Sequence, residues 1–287
     1  MRRRHHSRRR TQGGVRHRLV GAIACCLLAG VAPRLHAADT GDLGTDRDAF
    51  TPSTHTVAVG RILQEASYVY IDNRAGLPTN NYPELLIRRG VGERFELRFG
   101  VNYGVGSQGN VVTNVEAGEG SDEAGTLRES SLLYGLKMNL MRQRGWLPQS
   151  CFIMEAFTPT SGEVFGTTPV ATLVAGWELP VGFSRHAERW RLDGALRYAH
   201  AETPATWFDR WSPSAVLRMP VSERWEVHAE WFASYTQGLP EDTQRPFFSP
   251  GLHYDFAKNA GIGVRVGWGL SDAAAPFFSD VGMGVRW

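Results

Sequence analysis

The run Leu19–Ala32 falls short of the roughly 20 consecutive apolar residues that a membrane-spanning helix needs. Cysteine is scarce. Of three, Cys25 and Cys26 lie in that run and Cys151 alone lies beyond it, which excludes an intramolecular disulfide framework after removal of the N-terminus. Acidic residues are missing altogether from the first 37 positions, which hold nine arginines.

Those absences describe a leader. Residues 1–18 carry eight arginines and three histidines; the short apolar run follows, then the small residues Ala37 and Ala38. A basic start, a short apolar centre and a small-residue exit are the parts of a secretory signal peptide, with cleavage expected after Ala37 or Ala38. Ser7-Arg8-Arg9-Arg10 lacks the apolar residues that follow a twin-arginine pair. The apolar stretch before Cys25 is too short for a lipoprotein signal. The whole chain has a formal net charge of +2. Without the leader it keeps 22 basic residues against 29 acidic ones, a net charge of −7. The basic character therefore belongs to the leader, and no nucleic-acid surface is expected.

What the rest of the chain has is alternation. In Phe95-Glu96-Leu97-Arg98-Phe99-Gly100-Val101-Asn102-Tyr103 every odd residue is apolar or aromatic and every even one is charged, polar or glycine. Trp225–Trp231 and Ile262–Trp268 repeat the pattern, and Val281–Trp287 carries it to the last residue. Period 2 is the strand period, not the helical one. About twelve such strands are predicted, over 60–71, 82–90, 94–104, 130–140, 150–159, 168–179, 189–199, 208–219, 224–235, 246–256, 260–270 and 276–287. Their length suits a tilted membrane strand. Short gaps near Gly90–Glu93, Pro220–Glu223 and Ala257–Asn259 tend to alternate with longer ones, as turns and loops do at the two ends of a membrane barrel. Trp177, Trp190, Trp211, Trp225, Trp231, Trp268 and Trp287 are candidates for interfacial girdles on the outer face. The turn Val91-Gly92-Glu93-Arg94-Phe95 recurs as Val221-Ser222-Glu223-Arg224-Trp225.

The fold class expected is therefore all-β, an antiparallel transmembrane β-barrel preceded by a signal peptide. The organisation is a signal peptide over 1–37, an extended, solvated N-terminal segment over 38–58 and an outer-membrane barrel over 59–287. A terminal strand ending on an aromatic resembles the assembly signal of bacterial outer-membrane barrels, which assigns that role to Trp287.

Several segments carry a family resemblance: Thr45-Asp46-Arg47-Asp48-Ala49-Phe50-Thr51, Pro83-Glu84-Leu85-Leu86-Ile87-Arg88 with Gly90, Glu93–Arg98 with Gly100-Val101, Gly135-Leu136-Lys137, and Thr158-Pro159-Thr160-Ser161-Gly162. In this order they resemble the outer-membrane-type family called Putative MetA-pathway of phenol degradation. Asp48 stands where the family usually has Pro, and Ser161 interrupts its Pro-Thr-Gly. The resemblance implies a barrel and transport; it does not imply phenol chemistry.

Charge on a lipid face costs about 2–4 kcal/mol for Arg at mid-depth, so alternating charges should point inward. On this register the lumen receives Glu84, Arg88, Glu96, Arg98, Lys137, Glu155, Arg191, Asp193, Arg197, Arg218, Glu226, His228, Glu230, His253, Asp255 and Arg265. A filled lumen and a conducting one are equally compatible with them, because small barrels can be packed by their own side chains. Gly104-Val105-Gly106-Ser107-Gln108-Gly109 matches a dinucleotide-binding pattern, but Asn110–Asn114 is no helix start, so a flexible outer loop is expected. His228 and His253 lie near acids without metal-ligand spacing. Asp42, Asp46 and Asp48 lack EF-hand spacing. Cys151 has no partner for thiol catalysis, and Ser184 and His186 sit too close in a turn. No catalytic residue, metal or cofactor is expected. The function expected is a channel or uptake protein for small solutes, aromatic ones among them. The alternatives are a structural or adhesive non-conducting barrel and an outer-membrane hydrolase. The expected partners are outer-membrane lipid, the barrel-assembly machinery and a small solute.

Overall fold

The computed structural model describes residues 43–74, 76–107, 109–116, 127–181 and 189–287. The expected signal peptide and the Ser184–His186 turn lie outside the described residues. Twelve strands follow in chain order: β1 (Ile62–Asp72), β2 (Thr79–Gly92), β3 (Phe95–Gly106), β4 (Leu127–Met141), β5 (Gln149–Ser161) and β6 (Thr168–Glu178). Then come β7 (Arg191–Glu202), β8 (Trp207–Pro220), β9 (Trp225–Gln237), β10 (Gln244–Ala257), β11 (Ala260–Gly269) and β12 (Phe277–Arg286). Each pairs antiparallel with its chain neighbours, and β1 pairs with β12 from Leu63↔Arg286 to Asp72↔Phe277, so the sheet closes. Closure leaves no unpaired edge, which an isolated sheet in lipid could not tolerate.

The alternation read from the sequence is the inside–outside alternation of the barrel. In β3, Phe95, Leu97 and Phe99 are exposed while Glu96 and Arg98 are buried. Leu173, Leu196, Val264 and Met283 are likewise exposed on other strands. An uncovered apolar belt of this kind is the surface of a barrel solvated by lipid. Aromatics flank it: Trp207, Trp211 and Trp268 lie toward one end and Trp225 toward the other. Trp231 departs from the expected girdle. It pairs with Ala215 and Phe248 midway along β9, where it meets the belt itself.

The repeated turn has a structural counterpart. Both copies connect strands at the end of the barrel where β1 starts and β12 stops. In each, the arginine carbonyl accepts a bond from the neighbouring strand: Asn139 N–H to Arg94 at 2.8 Å and Asp255 N–H to Arg224 at 2.9 Å. The pairing of β2 with β3 shifts between Asn81 and Glu84, around Pro83, which has no N–H to give the ladder.

The interior is not an open pore. Residues 43–58 precede β1, form no strand and run through the barrel as a plug. Leu43 to Thr54 are all buried. This corrects the expectation of an extended, solvated segment: residues 46–51 are bent, and their polar groups are solvated by barrel side chains rather than water. The stretch after β3 is the second correction. Instead of a flexible outer loop, Val111 to Glu116 fold inward and are buried. Val111, Val112 and Val115 supply the apolar surface that draws them in.

Candidate functional site in the barrel interior

Asp46 is the centre of the plug's attachment. Its carboxylate accepts bonds from Arg98 Nη1 at 2.6 Å, Lys137 Nζ at 3.1 Å and its own segment's Ser53 N–H at 2.9 Å, with Arg88 Nη1 3.5 Å away. Glu65 on β1 takes the backbone N–H groups of Asp46 and Arg47 at 2.7 and 3.0 Å. Arg88 donates to both oxygens of Glu96, to Glu65, and to the plug carbonyls of Gly44 at 2.6 Å and His55 at 3.1 Å. Glu96 also accepts from Val57 N–H at 2.9 Å. Arg98 reaches Glu155 at 2.7 Å. Five consecutive strands thus present one mixed-charge wall whose hydrogen bonds are completed by the plug, as buried charges require.

The opposite wall holds the middle of the plug. Glu230 accepts the N–H of Phe50 at 2.9 Å and both the N–H and the hydroxyl of Thr51 at 2.7 Å. His253 Nδ1 lies 2.5 Å from Asp48 and its Nε2 lies 3.0 Å from Asp255. Arg191 donates to Thr54 at 2.7 Å. Back on the first wall, Asn139 of β4 donates to Thr56 at 2.8 Å and Cys151 of β5 meets Ser53, its Sγ 3.8 Å from Ser53 O. The wall is also shaped for the plug. A Cβ on Gly90 would sit 2.2 Å from Ala58 O, and one on Gly263 would sit 2.7 Å from Asp48 Oδ1. At Gly90 the neighbour is backbone, so no side chain fits there; at Gly263 the Asp48 carboxylate would have to move.

The remaining candidates sort by position. Glu84 is buried, accepts from Thr113 at 3.1 Å and lies 3.5 Å from Arg47. Asp193 pairs with Arg191 at 2.9 Å and stands 3.7 Å from Arg218, which lies 3.6 Å from Glu226. Arg197 pairs with Glu116 of the inward loop at 3.0 Å. Arg265 bonds Asp280 at 3.1 Å, Glu230 at 3.4 Å and Val112 O at 2.6 Å. His228 is buried over Gly251 and shares no metal-ligand cluster with His253 among the described residues. Arg191, Arg218, Glu226, His253 and Asp255 border a vestibule of about 470 Å³ at the end where β1 starts and β12 stops. A smaller cavity of about 70 Å³ lies at the other end.

Sequence reasoning gave no lumen role to Asp46, Asp48, Glu65, Glu116, Asp280 or Arg210, whose guanidinium on β8 also pairs with Glu116. Glu65, Arg210 and Asp280 alternate with outward residues and were accessible to the same period-2 argument. The plug and loop acids carry no such signal.

Asp48 gives the docked plug a pH dependence. Burial raises its carboxyl, but the charge and hydrogen bond of His253, with Thr45 and Arg218, outweigh that and lower it from 3.8 to about 2. A carboxyl depressed in the docked state stabilises docking above its free value and stops doing so as pH falls through the docked one. The contribution is about 2 kcal/mol, present above pH 3.8 and lost between there and pH 2. Plug protection, read by hydrogen exchange of residues 46–51, should fall across that window. Asp48→Asn should weaken docking at neutral pH and flatten the profile; an unchanged profile would remove Asp48 from the account.

Fold and interior together define a class: an outer-membrane β-barrel whose lumen is occupied by its own N-terminal segment. The chain belongs to the family described as Putative MetA-pathway of phenol degradation, whose profile matches residues 45–287. Among solved structures it is similar to the COG4313 outer membrane channel from Pseudomonas putida F1, with a TM-score of 0.55 and 10% identity over 82% of this chain and 98% of that one. It is also similar to the translocator domain of the autotransporter NalP from Neisseria meningitidis (TM-score 0.50, 12% identity, 81% and 90% coverage). The NanC porin gives a TM-score of 0.50 at 6% identity, with 78% and 98% coverage. No curated protein sequence matches the chain. At these identities the neighbours speak for the fold.

Proposed function

We propose that the protein is an outer-membrane channel for small solutes and that residues 43–58 are its gate. One observation carries the reading. The lumen is lined by charges on every side, yet it is filled by a segment that pairs with no strand of the wall apart from the lone bridge Val59↔Gly90 just beyond it. An element held by side chains and not by a ladder can leave without unfolding the barrel. The vestibule beside it supplies room at the end where β1 starts. The names of two similar structures, an outer membrane channel and a porin, agree with this reading. The test is single-channel recording of the refolded mature chain in planar bilayers with a panel of ions. A chain that stays silent with its plug removed would refute it.

Export and assembly belong to the same proposal. A leader over 1–37 would leave a mature chain beginning at Ala38 or Asp39, and an intact Met1 in the membrane fraction would contradict that. Trp287 makes the last rung of the closing seam. Its carbonyl accepts from Ile62 N–H at 2.9 Å and its N–H donates to Ile62 O at 3.0 Å. Deleting Trp287 removes both bonds and the terminal aromatic read by the assembly machinery. The yield of heat-modifiable barrel should drop; an unchanged yield would count against the assignment.

A further inference from the structure

The connection from β4 to β5 is a small hairpin of its own. Arg144 and Leu147 exchange both backbone bonds at 3.1 Å. Gly145 takes a φ of 58° at the first central position, where a two-residue turn of this hand favours glycine. The hairpin is tied to β6. Gln143 accepts from Glu178 N–H at 2.7 Å and donates to Glu178 O at 3.2 Å. The Trp177 indole N–H donates to Trp146 O at 3.0 Å. What this anchored tip presents is Trp146, 88% exposed, with Leu147 57% exposed beside it. An indole so bare is out of place in water and suited to a membrane interface, where its ring meets acyl chain and its N–H meets headgroups. The tip also continues the belt, since Leu140 and Met141 at the end of β4 are exposed apolar groups leading to it.

The tip is basic as well as apolar. Arg142 and Arg144 are exposed, and residues 142–148 contain no acid. Glu93, Glu178 and Glu223 are exposed at the same end of the barrel, but none of them lies on the hairpin. Arg89 repeats the arrangement on β2. It is exposed on the outer face beside Ile62 and Leu97, a cation at the edge of the belt. The opposite end differs in sign. Among the described residues, Glu163, Glu241, Asp242 and Asp272 are exposed there against Arg74 and Arg128. Anionic headgroups are therefore attracted at one end of the barrel and repelled at the other. The basic end is the one with the tight turns, which places it on the periplasmic side.

We propose that the β4–β5 hairpin binds an anionic phospholipid of the periplasmic leaflet. Trp146 and Leu147 sit among the upper acyl carbons, and the Arg142 and Arg144 guanidiniums take the phosphate. A guanidinium presents a planar fork of donors that matches phosphate oxygens. A zwitterionic headgroup carries its own ammonium beside the phosphate and gives the two arginines less. The site lies outside the lumen and makes no use of the plug, so it stands or falls apart from the channel reading.

The test uses the mature chain refolded in vesicles of phosphatidylcholine doped with phosphatidylglycerol, one lipid or the other brominated near the top of its acyl chains. Bromine quenches the indoles it touches, and the difference between the parent and Trp146→Phe isolates the emission of Trp146. Brominated phosphatidylglycerol should quench Trp146 at a mole fraction on the order of tenfold lower than brominated phosphatidylcholine, the preference that two cations confer at low salt. High salt should shrink that preference. Arg142→Gln combined with Arg144→Gln should bring the two lipids level, and the paired lysine variants should keep part of the preference. Arg128→Gln at the opposite end should leave it unchanged. Heat-modifiable mobility shows which variants have folded; if the glutamine pair does not fold, the lysine pair and the salt series read the same preference. Equal quenching of the parent by both lipids, a preference that survives high salt undiminished, or one that survives in the glutamine pair overturns the site. A Trp146 that neither lipid quenches puts the hairpin in water and overturns it as well.

Discussion

A chain lacking residues 43–58 will assemble the same twelve-stranded barrel and pass a steady ion current, where the intact chain is closed or opens only briefly. The expectation follows from how the segment is attached. The barrel's closing ladders run between β1 and β12 and make no use of it. The charges it leaves behind still have one another: Arg88 with Glu96 and Glu65, and Arg98 with Glu155. Water can replace the plug's carbonyls and amides in a polar lumen at little cost. Mean current should rise on the order of tenfold or more, the scale on which a gate closed most of the time suppresses transport. The converse variant fixes the sign. Ser53→Cys puts a second thiol on the segment where its backbone passes Cys151, whose sulfur lies 3.8 Å from the Ser53 carbonyl oxygen, and an oxidant should tie the segment to β5. The oxidised chain should be silent and reductant should return it to the parent's behaviour. If deletion and locking give the same current, the segment is filling and not a gate.

The barrel was legible in the sequence because lipid and a polar interior act on alternate residues of the same strand. That leaves a binary pattern with period 2, clearest where Leu97 and Phe99 bracket Arg98. Depth along the strand leaves no comparable mark. Trp231 could be placed outward by alternation, but its mid-strand level depends on the register of β9 against β8 and β10. The plug was illegible for a different reason. Thr45-Asp46-Arg47-Asp48 reads as water-loving, and its real solvent is a set of side chains from Glu65 to His253. Nothing within a window of neighbouring residues records those partners. The inward loop left a trace that was open to a closer reading: Val111, Val112 and Val115 are too apolar for a tip in water.

Two adjacent substitutions on β3 should destabilise the barrel for opposite reasons, and conductance should tell them apart. Phe99 is 48% exposed on the belt, between Ile87 and Tyr134 of the flanking strands. Phe99→Arg puts a cation against lipid at a cost of about 2–4 kcal/mol at mid-depth, less toward an interface. Its side chain points away from the plug, so each folded molecule should gate as the parent does. Arg98 points inward and serves three carboxylates: Asp46 at 2.6 Å, Glu155 at 2.7 Å and Glu96 at 2.9 Å. Arg98→Leu leaves a dry excess of negative charge, a loss on the order of 3–5 kcal/mol if nothing relaxes. Relaxation has an obvious route, since Asp46 belongs to the plug and its expulsion admits water to Glu96 and Glu155. The Arg98→Leu barrel should therefore unfold at lower urea in lipid vesicles and also conduct more, with Arg98→Lys intermediate in both. Phe99→Arg should share the first effect and lack the second. A Phe99→Arg chain as stable as the parent would deny the lipid belt, and an Arg98→Leu chain that stayed closed would detach Asp46 from the gate.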